Sequence, residues 1–211
     1  MHILVTAGPT REHLDPIRFL SNRSTGKMGF AVAQAAVERG HRVTLVAGPV
    51  SLPTPQGVER VDVVSAREML AAVEHALPNS DALVMTAAVA DWRPEQAAAT
   101  KLKKRETPPL LRLLPNPDIL ETLAPLKGKR VFVGFAAETG DPTQEAQRKL
   151  AAKGLDLIVA NDVTAPGAGF AVDTNQVTFI SAAAPPQPFP LQSKRDVGRA
   201  IVQWLEAARR A

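Results

Sequence analysis

Short apolar runs bounded by turn-forming residues alternate along this chain with segments whose apolar positions recur at helical spacing. Residues 3–7, 42–47, 82–85, 131–135 and 157–160 are runs of the first kind. Each is short and bounded by turn formers, as buried strands are. Between them, residues 26–39, 65–75 and 143–153 carry their apolar side chains on one side, as amphipathic helices do. Gly40 and Gly154 stand where two of these helices end. Ser65, with Glu68 three positions on, reads as a capping box for the middle one. Residues 61–64 read as a short third strand, and Pro117 as the first residue of a short helix reaching about Leu123. This alternation predicts an α/β fold: a Rossmann-like, doubly wound, mostly parallel sheet. Past Phe170 the pattern changes. Residues 177–180 and 189–191 predict a C-terminal β-ribbon, and Ser193 caps a final helix with Val197, Ile201, Trp204 and Leu205 on its buried face. Nothing breaks the pattern into parts, so residues 1–211 are expected to form one domain.

Composition narrows the chemistry. With 211 residues, 45% of them hydrophobic, the chain can bury one sizeable core. No run approaches the roughly 18 apolar residues of a membrane span, and the N-terminus lacks a signal-peptide layout. A cytoplasmic protein with no membrane partner is expected. The absence of cysteine excludes a disulfide framework, a thiolate nucleophile and a thiolate metal site. His2, His13, His41 and His75 show no metal-ligand spacing. A net charge of +4 suits anionic partners in general. Its distribution is more telling: lysine and arginine crowd residues 101–105, and Lys149 and Lys153 recur on one helical face. Only 4% of residues are aromatic and none is tyrosine, which leaves little surface for stacking bases. No nucleic acid partner is expected.

Ligands of an open α/β sheet bind beyond the carboxyl ends of its strands, which singles out four loops. The first, residues 8–29, ends in Ser24-Thr-Gly-Lys-Met-Gly29, where backbone amides and a helix start favour phosphate; a serine cap with packing glycines is an equal reading. It is no dinucleotide fingerprint, because Gly8 lies far from Gly26, and no P-loop, because Met28 follows Lys27. The second, residues 86–94, lines small residues up before Asp91, which can accept bonds from ribose hydroxyls or simply form a turn. A long irregular stretch to residue 109 follows and carries the basic run, whose mobile lysines can neutralise phosphates on closure. Asn161 and Asp162, at the end of the last strand run, fit cap and turn roles.

The first loop decides between families. Ala7-Gly-Pro-Thr-Arg-Glu12, Asp15-Pro-Ile-Arg-Phe-Leu-Ser-Asn22 and Ser24-Thr-Gly-Lys-Met-Gly29 closely resemble the signature of phosphopantothenate–cysteine ligases (phosphopantothenoylcysteine synthetases). These form the C-terminal half of the bacterial bifunctional coenzyme A biosynthesis flavoprotein. The likeness continues through Ala87-Ala-Val-Ala-Asp91, Lys101-Leu-Lys-Lys104, Asn116-Pro-Asp-Ile-Leu120, Gly134-Phe-Ala-Ala-Glu-Thr139 and Lys153-Gly-Leu-Asp-Leu-Ile-Val-Ala-Asn-Asp-Val163. Thr25 stands where many relatives carry serine.

The resemblance implies a single nucleotide-binding ligase domain that joins 4'-phosphopantothenate to cysteine through an acyl-cytidylate, consuming CTP and releasing CMP and pyrophosphate. It carries the catalytic roles to Asn22 and Lys101. CTP binding falls to Asp91, Lys101, Pro117, Asp118, Ile119, Leu120, Phe135, Lys149 and Lys153, and binding of the acyl part to Arg18, Asn22, Ala87 and Ala88. Mg²⁺ is expected with CTP, and no flavin in this chain. Expected partners are a second copy, as a homodimer, and a phosphopantothenoylcysteine decarboxylase domain, fused or separate. The alternative is an NAD(P)-dependent oxidoreductase on the same kind of fold, although the Tyr-x-x-x-Lys pair of short-chain reductases is absent. A nucleic-acid binder is a further alternative, resting only on the basic run.

Overall fold

A computed structural model describes residues 1–104, 110–138, 143–162 and 164–210. Arg105, the end of the irregular stretch at Pro109, Thr139 and Val163 lie outside the described residues, as does the side chain of Glu138. The element order begins β1 (His2–Ala7), α1 (Lys27–Glu38), β2 (Arg42–Ala47), β3 (Val58–Asp62), α2 (Ala66–Ala76) and β4 (Ala82–Met85). It continues with α3 (Ile119–Leu123), β5 (Val131–Glu138), α4 (Thr143–Ala152), β6 (Leu157–Asp162), β7 (Thr178–Ile180), β8 (Gln187–Pro188) and α5 (Lys194–Arg210).

These strands form one sheet in the order β8-β7-β6-β5-β4-β1-β2-β3. All pairings from β6 to β3 are parallel, and β7 and β8 add antiparallel strands at one edge. The expected α/β fold is therefore the one observed. Its core follows from the two-residue period of a strand. Ile3, Val5, Val43, Leu45 and Val84 meet α1 and α5 on one face. Leu4, Val46, Leu83, Phe132 and Ile158 meet α2, α3 and α4 on the other. With both faces covered, the central parallel strands are mostly apolar, which makes them legible as runs, whereas the parallel edge strand β3 carries Glu59, Arg60 and Asp62.

Five boundaries depart from the sequence reading. β5 runs three residues past Phe135, to Glu138, and the second ribbon strand, β8, is Gln187–Pro188 rather than residues 189–191, where Pro190 has no N–H to give a ladder. β3 begins at Val58, three residues early, because it is an edge strand on which Glu59 and Asp62 stand in solvent. Pro117 lies before α3, which Asp118 caps by accepting from the Glu121 amide at 3.0 Å. β6 runs on through Asn161 and Asp162, so Asn161 belongs to the sheet. Asp162 also makes the expected turn, accepting from the Thr164 amide at 2.8 Å. The caps at Ser65 and Ser193 form as read: Glu68 N donates to the first at 3.2 Å and Asp196 N to the second at 3.1 Å.

α5 is tied to α1 at its far end. Glu206 accepts from Arg39 Nε at 2.8 Å and Nη2 at 2.5 Å, with His41 Nε2 at 2.9 Å. The Arg39 guanidinium holds the Glu206 carboxyl down to about 2. A depressed carboxyl contributes stability that is complete above its unfolded value of 4.5 and is lost as pH falls through about 2. Glu206→Gln is expected to lower Tm by roughly 3 °C at neutral pH, the scale of an exposed ion-pair network in a chain this long. By pH 2.5 the gap to wild type should be mostly gone. A gap that persists in thermal melts there would contradict this account.

Candidate active site

Strand order reverses between β1 and β4, and the crevice at such a switch point is where doubly wound sheets bind ligands. The loops leaving the two strands are laced together. Ala88 N donates to Gly8 O at 2.9 Å, Thr10 N to Ala88 O at 3.3 Å, and Ala90 N to Thr10 Oγ1 at 2.9 Å. Asn22 Nδ2 donates to Ala88 O at 3.0 Å and Val89 O at 3.1 Å. Asn116 closes the far side, donating Nδ2 to Ala90 O and its amide to Asp91 O, each at 2.8 Å. A cleft of about 540 Å³ opens over this floor.

The N-terminus of α1 forms one wall. Gly26 takes the cap position with φ 79°, and no side chain caps the helix. Ser24 Oγ instead accepts from the Gly26 amide at 3.3 Å. Uncapped first-turn amides, lining the cleft, suit an anion. Gly29 lets the helix lie this close. A Cβ there would sit 2.4 Å from Thr86 Oγ1 and 2.5 Å from Ala7 Cβ.

The opposite wall is residues 115–120 with Lys153. Lys153 Nζ lies 2.5 Å from Asp118 Oδ2 and spans from α4 to the cap of α3. Burial acts to raise the Asp118 carboxyl, but the Lys153 hydrogen bond and charge and the Glu121 amide outweigh it and hold it below its ordinary value.

Loop residues 167–173 form a third wall, and basic side chains hold it. Lys194 is 6% exposed and donates Nζ to the carbonyls of Gly169, Phe170 and Val172 at 2.8, 3.2 and 2.6 Å. Burial, reinforced by the nearby Lys27 charge, lowers Lys194 to about 8. Lys27 Nζ binds Ala171 O at 2.9 Å and Asp173 Oδ1 at 2.7 Å, and Thr25 Oγ1 donates to Phe170 O at 2.6 Å. Asn161 and Asn175 line the cleft although only 8% and 4% exposed.

Of the candidate residues, Asp91, Pro117, Asp118, Ile119, Leu120, Phe135, Lys153, Ala87 and Ala88 all line this one cleft. Asn22 touches two of its carbonyls through its side-chain NH₂ group. A ligand oxygen seeking a donor there competes with the backbone. Lys149 is not among the lining residues; its Nζ lies 3.6 Å from Glu145. Arg18 and Lys101 also lie outside the lining, on two segments that touch. Arg18 pairs with Asp15 and binds Leu102 O, one residue after the exposed Lys101.

Lys194, Asn175 and Asn116 escaped assignment from sequence. The first stands beside the cap at Ser193 and the second just before the expected ribbon at 177–180, and only folding turns them to the cleft. For Asn161 the signal was present: a polar residue ending an apolar strand run at the carboxyl edge of the sheet. Among the described residues, no three His, Cys, Asp or Glu side chains converge as a metal site, and no helix is long and apolar enough to cross a membrane.

A doubly wound sheet whose switch-point cleft is walled by open helix amides and lysine side chains has the architecture of nucleotide-binding α/β domains. The chain belongs to the family described as the DNA/pantothenate metabolism flavoprotein C-terminal domain, which it matches over residues 1–208. It is 49% identical over 207 residues to the coenzyme A biosynthesis bifunctional protein CoaBC of Bacillus subtilis (strain 168), covering 98% of this chain and 51% of that protein. With the protein of the same name from Escherichia coli (strain K12) it is 46% identical over 209 residues, covering 97% and 51%. The crystal structure of the C-terminal domain of coenzyme A biosynthesis bifunctional protein CoaBC superposes with a TM-score of 0.84 at 40% identity, covering 98% of this chain and 94% of that one. The chain thus spans about half the length of the curated relatives it matches.

Proposed function

We propose that this chain is a phosphopantothenate–cysteine ligase acting in coenzyme A biosynthesis with CTP as co-substrate. The observation that carries the reading is convergence: signature segments from residues 24 to 161 line one cleft, beside the family's defining first loop. A carboxylate oxygen of 4'-phosphopantothenate attacks the α-phosphorus of CTP, and the bond to the leaving pyrophosphate breaks. The cysteine amine then attacks the acyl carbon and loses a proton, and CMP departs with the ester oxygen.

In this reading the α1 amides and Lys153 meet phosphate charge, and the small residues 87–88 let the reacting carbon lie against the backbone. Lys101 supplies positive charge as negative charge builds on the α-phosphate. Mg²⁺ bound with CTP would neutralise phosphate charge; among the described residues no cluster of His, Cys, Asp or Glu would hold it, so its ligands would come chiefly from the nucleotide. Asp91 lines the cleft and, among the described residues, its carboxylate makes no side-chain hydrogen bond or ion pair, which supports a role in binding ribose hydroxyls.

The deciding experiment is pyrophosphate release by the purified chain with CTP or ATP, with and without 4'-phosphopantothenate and cysteine. Release that requires phosphopantothenate and prefers CTP is expected. A preference for ATP would overturn the nucleotide assignment, and no release from folded protein would overturn the ligase.

The chain is further proposed to act as a homodimer, as its family resemblance implies. Supporting this, two adjoining ribbons, Arg11–His13 with Phe19–Ser21 and Trp92–Pro94 with Leu113–Pro115, each expose large apolar side chains, Phe19 on the first and Trp92 with Leu113 on one face of the second. Sedimentation should give twice the chain mass, and Trp92→Glu should shift it toward monomer. A wild-type monomer at micromolar concentration would rule this out.

A further inference from the structure

Asp15 is a carboxylate at the tip of the first-loop hairpin, 1% exposed, and it receives five hydrogen bonds. Oδ1 accepts from the amides of Ile17 and Arg18, both at 2.8 Å. Oδ2 accepts from Arg18 Nε at 3.0 Å, Arg18 Nη2 at 2.5 Å and the Leu102 amide at 3.1 Å. Arg18 Nη2 also donates to Leu102 O at 2.7 Å. Both main-chain polar groups of Leu102 are thus gripped by one ion pair more than 80 residues away in sequence. Ordinary turns fix an exposed loop through its own local hydrogen bonds. Here a distant charged pair does so, and a second tether, Ala98 N to Leu14 O at 2.9 Å, holds the same segment three residues before Lys101. Lys101 itself is exposed. Its chain is anchored on both sides, and its ammonium is left for a ligand.

We infer that Asp15 is a positioning residue for Lys101: with Arg18 it clamps the Leu102 peptide and so sets where the Lys101 ammonium stands when the ligase acts. The inference rests on the ligase reading only for what Lys101 does, and the clamp itself can be tested without turnover. The geometry gives Asp15 no reason to touch substrate, because both carboxylate oxygens are taken by the protein. Charge matters in this design. Two of the five donors come from a guanidinium, and charge-assisted bonds are shorter and stronger than neutral ones. An ordering contact of this kind removes conformational freedom before substrate arrives, so less has to be lost in the transition state.

Asp15→Asn is the informative change. It keeps an acceptor for the Ile17 and Arg18 amides and replaces the other oxygen by an NH₂ group. That group cannot accept from Leu102 or Arg18 and faces three donors. Leu102→Pro is the companion, deleting the gripped N–H from the opposite side without touching the hairpin. Limited trypsin digestion of the full chain, without any ligand, reads the clamp directly. Cleavage after Lys103 and Lys104 should accelerate about tenfold in both variants, since proteolysis tracks local opening, and cleavage after Lys101 in Asp15→Asn alone, because trypsin does not cut before the new proline; Tm stays within a few degrees of wild type. Unchanged cleavage in both would overturn the clamp, whether or not the chain proves to be a ligase.

The second readout tests the link to Lys101. In pyrophosphate release, Asp15→Asn should lower kcat about 30-fold with each KM within about threefold, the signature of an interaction realised only in the transition state. In a Lys101→Gln background the same change should cost less than about threefold, because the group it positions is gone. Losses that simply add would overturn the positioning role and leave Asp15 as a structural residue. If Asp15→Asn fails to fold, Leu102→Pro carries both readouts with the same expected outcomes.

Discussion

Lys101→Gln is expected to lower the ligation rate by roughly 100- to 1,000-fold, the loss usually seen when one preorganised electrostatic contact to a transition state is removed. The fold should not register the change. Lys101 is exposed on an irregular segment, and glutamine keeps most of its length, so thermal melts should coincide with wild type. KM for CTP should move little if, as proposed, the triphosphate is met by the α1 amides and by Lys153 on the far wall. The lost charge matters only as the α-phosphate gathers charge and the pyrophosphate departs. Near-wild-type turnover would remove Lys101 from the chemistry. A raised KM with unchanged kcat would make it a ground-state contact for the nucleotide instead.

Asn22→Ala is expected to slow turnover by about 100-fold while CTP affinity, measured by calorimetry, changes by less than about threefold. The physical reason is split between two jobs. The amide bridges Ala88 O and Val89 O and so holds the floor of the cleft at the switch point. It is also the polar side chain standing at that floor, where the reacting acyl group must lie if residues 87–88 bind it. Alanine removes both contributions but leaves the nucleotide wall at residues 115–120 untouched. Equal losses in turnover and affinity would show that the floor shapes the nucleotide site, and Asn22 would then be a binding residue.

The contrast between these residues and Lys149 is instructive. Lys149 and Lys153 share a helical face, and the sequence treats them alike. In the folded chain Lys153 reaches the cap of α3 at Asp118, whereas Lys149 lies one turn back with its Nζ 3.6 Å from Glu145. Helical spacing places two side chains on one face, but the end of the helix nearer the cleft decides which of them reaches it. Arg18 shows the same limit from the other direction. The family signature marks it for the acyl part of the ligand, and the fold adds a second engagement, with Asp15 and Leu102, that no spacing in the chain reveals.

Much of the architecture was nonetheless written locally. The central parallel strands are buried on both faces, so they appear as apolar runs; the edge strand β3 and the far end of β5 read three residues short, because exposed or polar residues there interrupt the apolar run. The capping serines at residues 65 and 193 act through bonds three residues long, and short-range geometry of that kind is visible in any window. Family membership was equally legible, because the first loop concentrates its signature in 23 consecutive residues, 7–29. Tertiary structure alone decided the rest. The strand order puts the first and second loops side by side at the switch point. Burial brings Lys194, Asn161 and Asn175 to the wall of the same cleft, and an ion pair at a hairpin tip grips a peptide more than 80 residues away. Those outcomes depend on which surfaces pack and on contacts between residues far apart in the chain, and no local pattern of polar and apolar residues encodes them.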